Sequence, residues 1–182
     1  LAGSDTNRYL DRAAGIYVQN KDGKLGLQAL NNINLTAAQV SNTGANSQTQ
    51  IIAGKDLNLS TLSTTHTENS DWDKDNYRHL TQTQDVGTQI NTGGSLGLSA
   101  GHDLNARAAS VTAKESIAAV AGNDINLTAG NDSYHLTEHS KQSSKGMLSS
   151  MSLETHDEVR NQSALGSNIS GDSVTLQAGN NL

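Results

Sequence analysis

The sequence predicts an all-β chain, a right-handed parallel β-helix with lateral antiparallel β-hairpin excursions. A turn-then-strand block is written four times, aliphatic residues alternate with period two, and the apolar content is too thin for a thick globular core. Of 182 residues only 34% are apolar, with no Phe, one Trp and four Tyr. A core built on aromatic payload is therefore excluded, and any interior must be narrow and aliphatic. Charge is modest, 16% of residues with a net of −6, and the regular spacing of Leu, Ile and Val separates the chain from a solvated coil. Asn, Thr, Ser and Gly are abundant and no long stretch keeps a helical apolar period, so strand and turn are expected nearly throughout.

The block appears as ALNNINLTAAQV from Ala29, AGKDLNLSTL from Ala53, AGHDLNARAASV from Ala100 and AGNDINLTAG from Ala121, with a shortened copy, AGNNL, from Ala178. Each copy places a small residue before Asp or Asn, then an aliphatic, Asn, and usually a second aliphatic, which reads as turn followed by strand. The anchors Ile33 and Leu57 are 24 positions apart, and Leu104 and Ile125 are 21 apart. Between the second pair, Val111 and Ile117 divide the interval into short steps, as Val40 and Ile51 divide the first. Three short strands per coil are expected. Pairs such as Leu25/Leu27, Leu96/Leu98 and Ile125/Leu127 send both members to one face, which must be interior. One rung cannot bury its pairs alone, so rungs stacked about 4.8 Å apart are what remove them from water. Right-handed winding follows the usual crossover preference.

The 47 positions from Leu57 to Leu104 exceed one coil, and the surplus is polar. The chain is expected to be one β-helix fragment, 1–182, of a larger filament, with excursions at about 63–89 and 133–165. Gly87-Thr-Gln-Ile90 and Gly166-Ser-Asn-Ile169 each precede a returning strand, defining a super-repeat of roughly 78 residues. Alternation in HLTQTQDV from His79 and MSLETHDEV from Met151 predicts lateral hairpins.

These blocks, together with DRAAGIYVQNKDGKLGLQALNNINLTAAQVSN from Asp11, resemble the haemagglutinin repeats of filamentous haemagglutinins and contact-dependent growth-inhibition toxin filaments; with the excursions they resemble the second repeat region of such two-partner-secretion exoproteins. The resemblance implies a secreted Gram-negative cell-surface fibre, threaded through an outer-membrane transporter and folding outside. It further implies help in delivering a C-terminal toxin across the target-cell outer membrane, or an adhesin stalk meeting a surface receptor. The acidic balance offers no basic stripe for phosphates, so nucleic acid is not an expected partner.

Site residues are expected to be structural. Asn34, Asn58, Asn105 and Asn126 recur at one place and could form a rung-to-rung amide ladder. Gly54, Asp56, Gly101, Asp103, Gly122 and Asp124 are read as turn residues. Asp56, Asp103 and Asp124 could instead make a lyase-like carboxylate row, which makes a carbohydrate-active β-helix enzyme the alternative. The basic residues in these units, Lys55, His102 and Arg107, stand at unmatched positions. His135-Leu-Thr-Glu-His139 matches a zinc-protease pattern that needs a helix, which its surroundings do not favour. Asp71-Trp-Asp-Lys-Asp75 opens like a calcium loop, but Asn76 and Gln82 stand where Gly and Glu are needed. Trp72 and Tyr77 could form a contact surface on the first hairpin, against a sugar or a lipid interface. The absence of Cys removes disulfides and thiolate metal sites. No catalytic residue, metal or cofactor is expected; a membrane-active role for the hairpins is a further alternative.

Overall fold

Short alternating segments separated by Gly, Asn and Asp form strands, and in this computed structural model, which describes residues 2–182, they number nineteen with no helix among them. After β1 (Ala2–Arg8) the chain runs in triplets. The first is β2 (Gly15–Val18), β3 (Lys24–Ala29) and β4 (Ile33–Thr36); the second is β5 (Gln39–Asn42), β6 (Gln48–Ala53) and β7 (Leu57–Ser60). A hairpin of β8 (Leu62–Asp73) and β9 (Asn76–Val86) intervenes. The third triplet follows as β10 (Gln89–Thr92), β11 (Ser95–Ala100) and β12 (Leu104–Arg107), the fourth as β13 (Ser110–Ala113), β14 (Ser116–Ala121) and β15 (Ile125–Thr128). A second, longer hairpin, β16 (Gly130–Lys145) and β17 (Ser150–Leu165), precedes β18 (Asn168–Ser170) and β19 (Ser173–Ala178). The expected all-β character therefore holds.

The chain divides into two compact units. One contains Asp11–Leu62, Asp85–Gly130 and Leu165–Leu182. Its triplets each give one strand to three parallel sheets, ordered β18-β13-β10-β5-β2, β19-β14-β11-β6-β3 and β15-β12-β7-β4. Register places like residues in columns: Ile33, Leu57, Leu104 and Ile125 in one sheet, Leu27, Ile51, Leu98, Ala119 and Leu176 in another, and Ile16, Val40, Ile90, Val111 and Ile169 in the third. Stacking governs burial: Val40, Ile90 and Val111 are buried, whereas Ile16, at the end of the same column, is 42% exposed. The interior is not wholly apolar. Thr49 replaces an aliphatic in the column of Leu25 and Leu96, and its hydroxyl meets those of Thr92 and the amide of buried Asn42.

The other unit takes the N-terminal segment to Leu10, Ser63–Gln84 and Asn131–Ala164. It is one antiparallel sheet ordered β1-β8-β9-β16-β17. Ala2 to Arg8 pair with Asp71 to Thr65, and Asp132 to His139 with Gln84 to Tyr77. The pairing of β1 with the first hairpin is a feature that its polar sequence, Ala-Gly-Ser-Asp-Thr-Asn-Arg, did not announce.

Candidate functional site

Three columns run along the Leu57 sheet, one of Asn within its strands and two in the turn that precedes them. The Nδ2 of Asn58 donates to Oδ1 of Asn34 at 2.8 Å, Asn105 to Asn58 at 2.9 Å and Asn126 to Asn105 at 2.9 Å. Asn58 and Asn105 thus each donate downward and accept from above, an arrangement that needs an amide on the neighbouring rungs. Beside it, Oδ1 of Asn32, Asp56, Asp103 and Asp124 accepts the backbone N–H of the residue one rung on, Asp56, Asp103, Asp124 and Asn181, at 2.9–3.2 Å. The third column is glycine. A Cβ on Gly101 would lie 2.2 Å from the carbonyl oxygen of Gly54, and Gly122 and Gly179 stand likewise over Gly101 and Gly122. No glycine has a positive φ, so close backbone stacking and not left-handed geometry requires the residue here. Replacing Asn105 by alanine is expected to cost about 1–2 kcal/mol, for two amide bonds on a half-buried face. Chemical denaturation measures it, and Asn34→Ala, which breaks a single bond, that from Asn58, should cost about half as much.

The carboxylates considered for catalysis are committed to this scaffold. Asp103 is held below the usual carboxylate range, first by the Asn123 amide and then by the Asp124 N–H and His102. His102 Nδ1 lies 3.2 Å from Asp56 and 3.1 Å from Asp103, a surface cluster in which His102 itself is largely exposed. His135 and His139 lie on strand β16, where no helix brings them around a metal with Glu138. His135 faces Glu158 and His139 faces Glu154, while Glu138 accepts from Arg78 Nε at 2.8 Å. At Asp71–Asp75 the Asp73 carboxylate accepts the Asp75 N–H and the Asn76 amide, closing the hairpin turn. That lowers its pKa, chiefly through Asn76.

Within the antiparallel sheet Arg78 reaches Glu68 on β8 and Glu138 on β16, tying three strands together. Trp72 is 54% exposed. Tyr77 is less free, because its ring stacks on His79 at 4.9 Å and on His139 at 5.4 Å. Four histidines of this sheet face carboxylates: His66 and Asp5, His79 and Asp71, His135 and Glu158, His139 and Glu154. His139 is raised above its ordinary value by its bond to Glu154, and Glu154 is lowered by the same bond. The raised histidine contributes stability that is complete below about pH 6.5 and is lost as pH rises through its folded value; the lowered carboxylate contributes above about 4.5 and is lost on acidification. The pairing of β16 with β17 should therefore be firmest between those values. Amide exchange of the two strands, corrected for intrinsic rate, checks this; equal protection at pH 5.5 and 8 would refute it.

Two further residues are structurally matched. Thr88 Oγ1 donates to the carbonyl of Leu35 at 2.7 Å, lies 3.2 Å from that of Ser60, and accepts the Ala38 N–H. Ser167 Oγ does the same with Ala106, Thr128 and the Ala109 N–H. Each hydroxyl locks the corner at which the chain returns from a hairpin. In the two corners without a hairpin, Ala37 and Ala108 turn the chain with positive φ. The signal lay in the recurrent Gly-Thr-Gln-Ile and Gly-Ser-Asn-Ile, which the sequence showed only as returning strands.

Residues 73–182, more than half of the chain, match the family model described as hemagglutinin repeat. The chain belongs to the hemagglutinin-repeat family. Its repeats are 36% identical over 96 residues to a 16S rRNA endonuclease CdiA of Enterobacter cloacae, covering 53% of this chain. They are 33% identical over 108 residues to a deoxyribonuclease CdiA of Dickeya dadantii, covering 58%. The chain spans about 3% of the length of each of these relatives. No solved structure matches it significantly.

Proposed function

We propose that these repeats form a section of a secreted, cell-surface filament of a Gram-negative bacterium, which extends the fibre and assists contact-dependent delivery of a toxin across the outer membrane of a target cell. Its carrying observation is the similarity to two CdiA proteins, whose nuclease names differ while each resembles this chain over about 100 residues. A shared repeat beside different activities suits a common delivery or spacer element. The three parallel sheets are read as the faces of a right-handed parallel β-helix, the hand following the crossover preference. Export through an outer-membrane two-partner-secretion transporter goes with that reading, since a stack of rungs folds by nearest-neighbour addition outside the cell.

No enzymatic role is proposed for the segment. The Asp56, Asp103 and Asp124 carboxylates each accept a backbone N–H of the next rung, which supports a structural part for them. The test is deletion of the matching super-repeats from the full-length exoprotein, with surface display and target-cell binding measured alongside killing. Lost killing with both controls intact is the expected result. Unchanged killing would make the segment a spacer, and lost binding would make it an adhesin stalk.

A further inference from the structure

We infer that the open edge of β17 docks the outgoing strand of the next hairpin of the same repeat, so that successive excursions build one continuous antiparallel sheet. Both junctions already present follow one rule. β1 leads into β2 across six residues, and β9 into β10 and β17 into β18 across two, so each is a strand by which the chain returns to the parallel sheets. Each of the first two pairs antiparallel with the outgoing strand of the hairpin that follows, β1 with β8 and β9 with β16. β17 is the third returning strand and stands at the end of the sheet.

Its edge looks built to be covered. β17 is 16 residues long, every one of them exposed, and holds neither Pro nor Gly; of its charges, Glu154, Asp157, Glu158 and Arg160, the two glutamates are engaged by His139 and His135 of β16. Val159 lies ten residues before Ile169, the place that Leu80 holds before Ile90, and Ile90 and Ile169 share a column. Leu80, with a strand on each side and Leu136 opposite, is 8% exposed, whereas Val159 is 43% exposed. By the register of β9 with β16, the strand that fits runs antiparallel to β17 and sets an apolar residue, in the position of Leu136, against Val159; in the β1–β8 junction the same place holds Thr6 against Thr67. Strand counts agree: a super-repeat adds two strands to each parallel sheet and two to the antiparallel one.

The decisive chain appends residues 105–182 after Leu182. Asn181 accepts the Ile125 N–H as Asp124 accepts that of Leu104, so Leu182 takes the place of Leu104 and Asn105 follows in phase. The β17 amides that point away from β16 should then exchange at least about tenfold more slowly than in the 182-residue chain. Unchanged exchange with the added parallel strands protected would overturn the inference. A peptide of residues 130–145 provides a test independent of the folding of the extension. Because the chain has no cysteine, a Val159→Cys chain and a Leu136→Cys peptide should cross-link in preference to a Thr155→Cys chain; equal or absent cross-linking overturns the register. Protection of β17 in the original chain that rises with concentration would assign the edge to a second copy instead, and would also overturn it.

Discussion

Gly101→Ala is expected to destabilise the parallel-sheet unit by about 3 kcal/mol or more, the upper range for overpacking, because backbone and not a movable side chain must give way. The new Cβ would sit 2.2 Å from the Gly54 carbonyl oxygen, while the Gly101 carbonyl itself supports Gly122. Strands β11 and β12, on either side of this turn, would have to separate from β6 and β7 below, weakening bonds in two sheets. For a chain of this size the change should lower the melting temperature by roughly 6–12 °C. The chain contains its own control. Leu30 holds the same place in the first triplet and is 91% exposed, having no described strand beneath it, so Leu30→Ala should leave stability within about 0.5 kcal/mol. A melting temperature for Gly101→Ala within a degree or two of the parent would show that the stack tolerates a side chain, contrary to the geometry.

Leu104→Ala should cost about 2–5 kcal/mol, the range for truncating a wholly buried leucine. Leu104 is 0% exposed, between Leu57 and Ile125 in its own sheet, and belongs to one cluster with Ile90, Leu98 and Val111. Its loss leaves a void that the hydrogen-bonded rungs cannot close by collapsing, since their spacing is set by the backbone. Leu127→Ala, in the same sheet but 42% exposed, should cost about 1 kcal/mol. Denaturant midpoints at constant slope measure both. Equal costs for the two would mean that burial along the column does not set stability.

Much of this architecture was legible because a stacked repeat writes each structural position several times. The Asn of Asn34, Asn58, Asn105 and Asn126 returns at every rung, and the structure joins these four in one hydrogen-bonded line. The column anchored on Ile33, Leu57, Leu104 and Ile125 was readable for the same reason. Irregular steps were harder. The long interval from Val40 to Ile51 conceals Thr49, which points inward and keeps its hydroxyl bonded to Thr92. The hairpins were visible as polar surplus with weak alternation, but the partner of each strand was not.

By itself the sequence determined the strand character, the repeat, the main aliphatic columns and the places where the chain leaves and re-enters the parallel sheets. Those depend on local alternation and on the need of each rung to bury its aliphatic pair against the next. Tertiary structure alone decided that β1 pairs with β8 and β9 with β16, that Thr88 and Ser167 lock the returning corners, and that glycine is required by a carbonyl one rung away. Backbone hydrogen bonds between distant strands carry no side-chain period, and the crowding at Gly101 belongs to Gly54, 47 residues earlier in the chain.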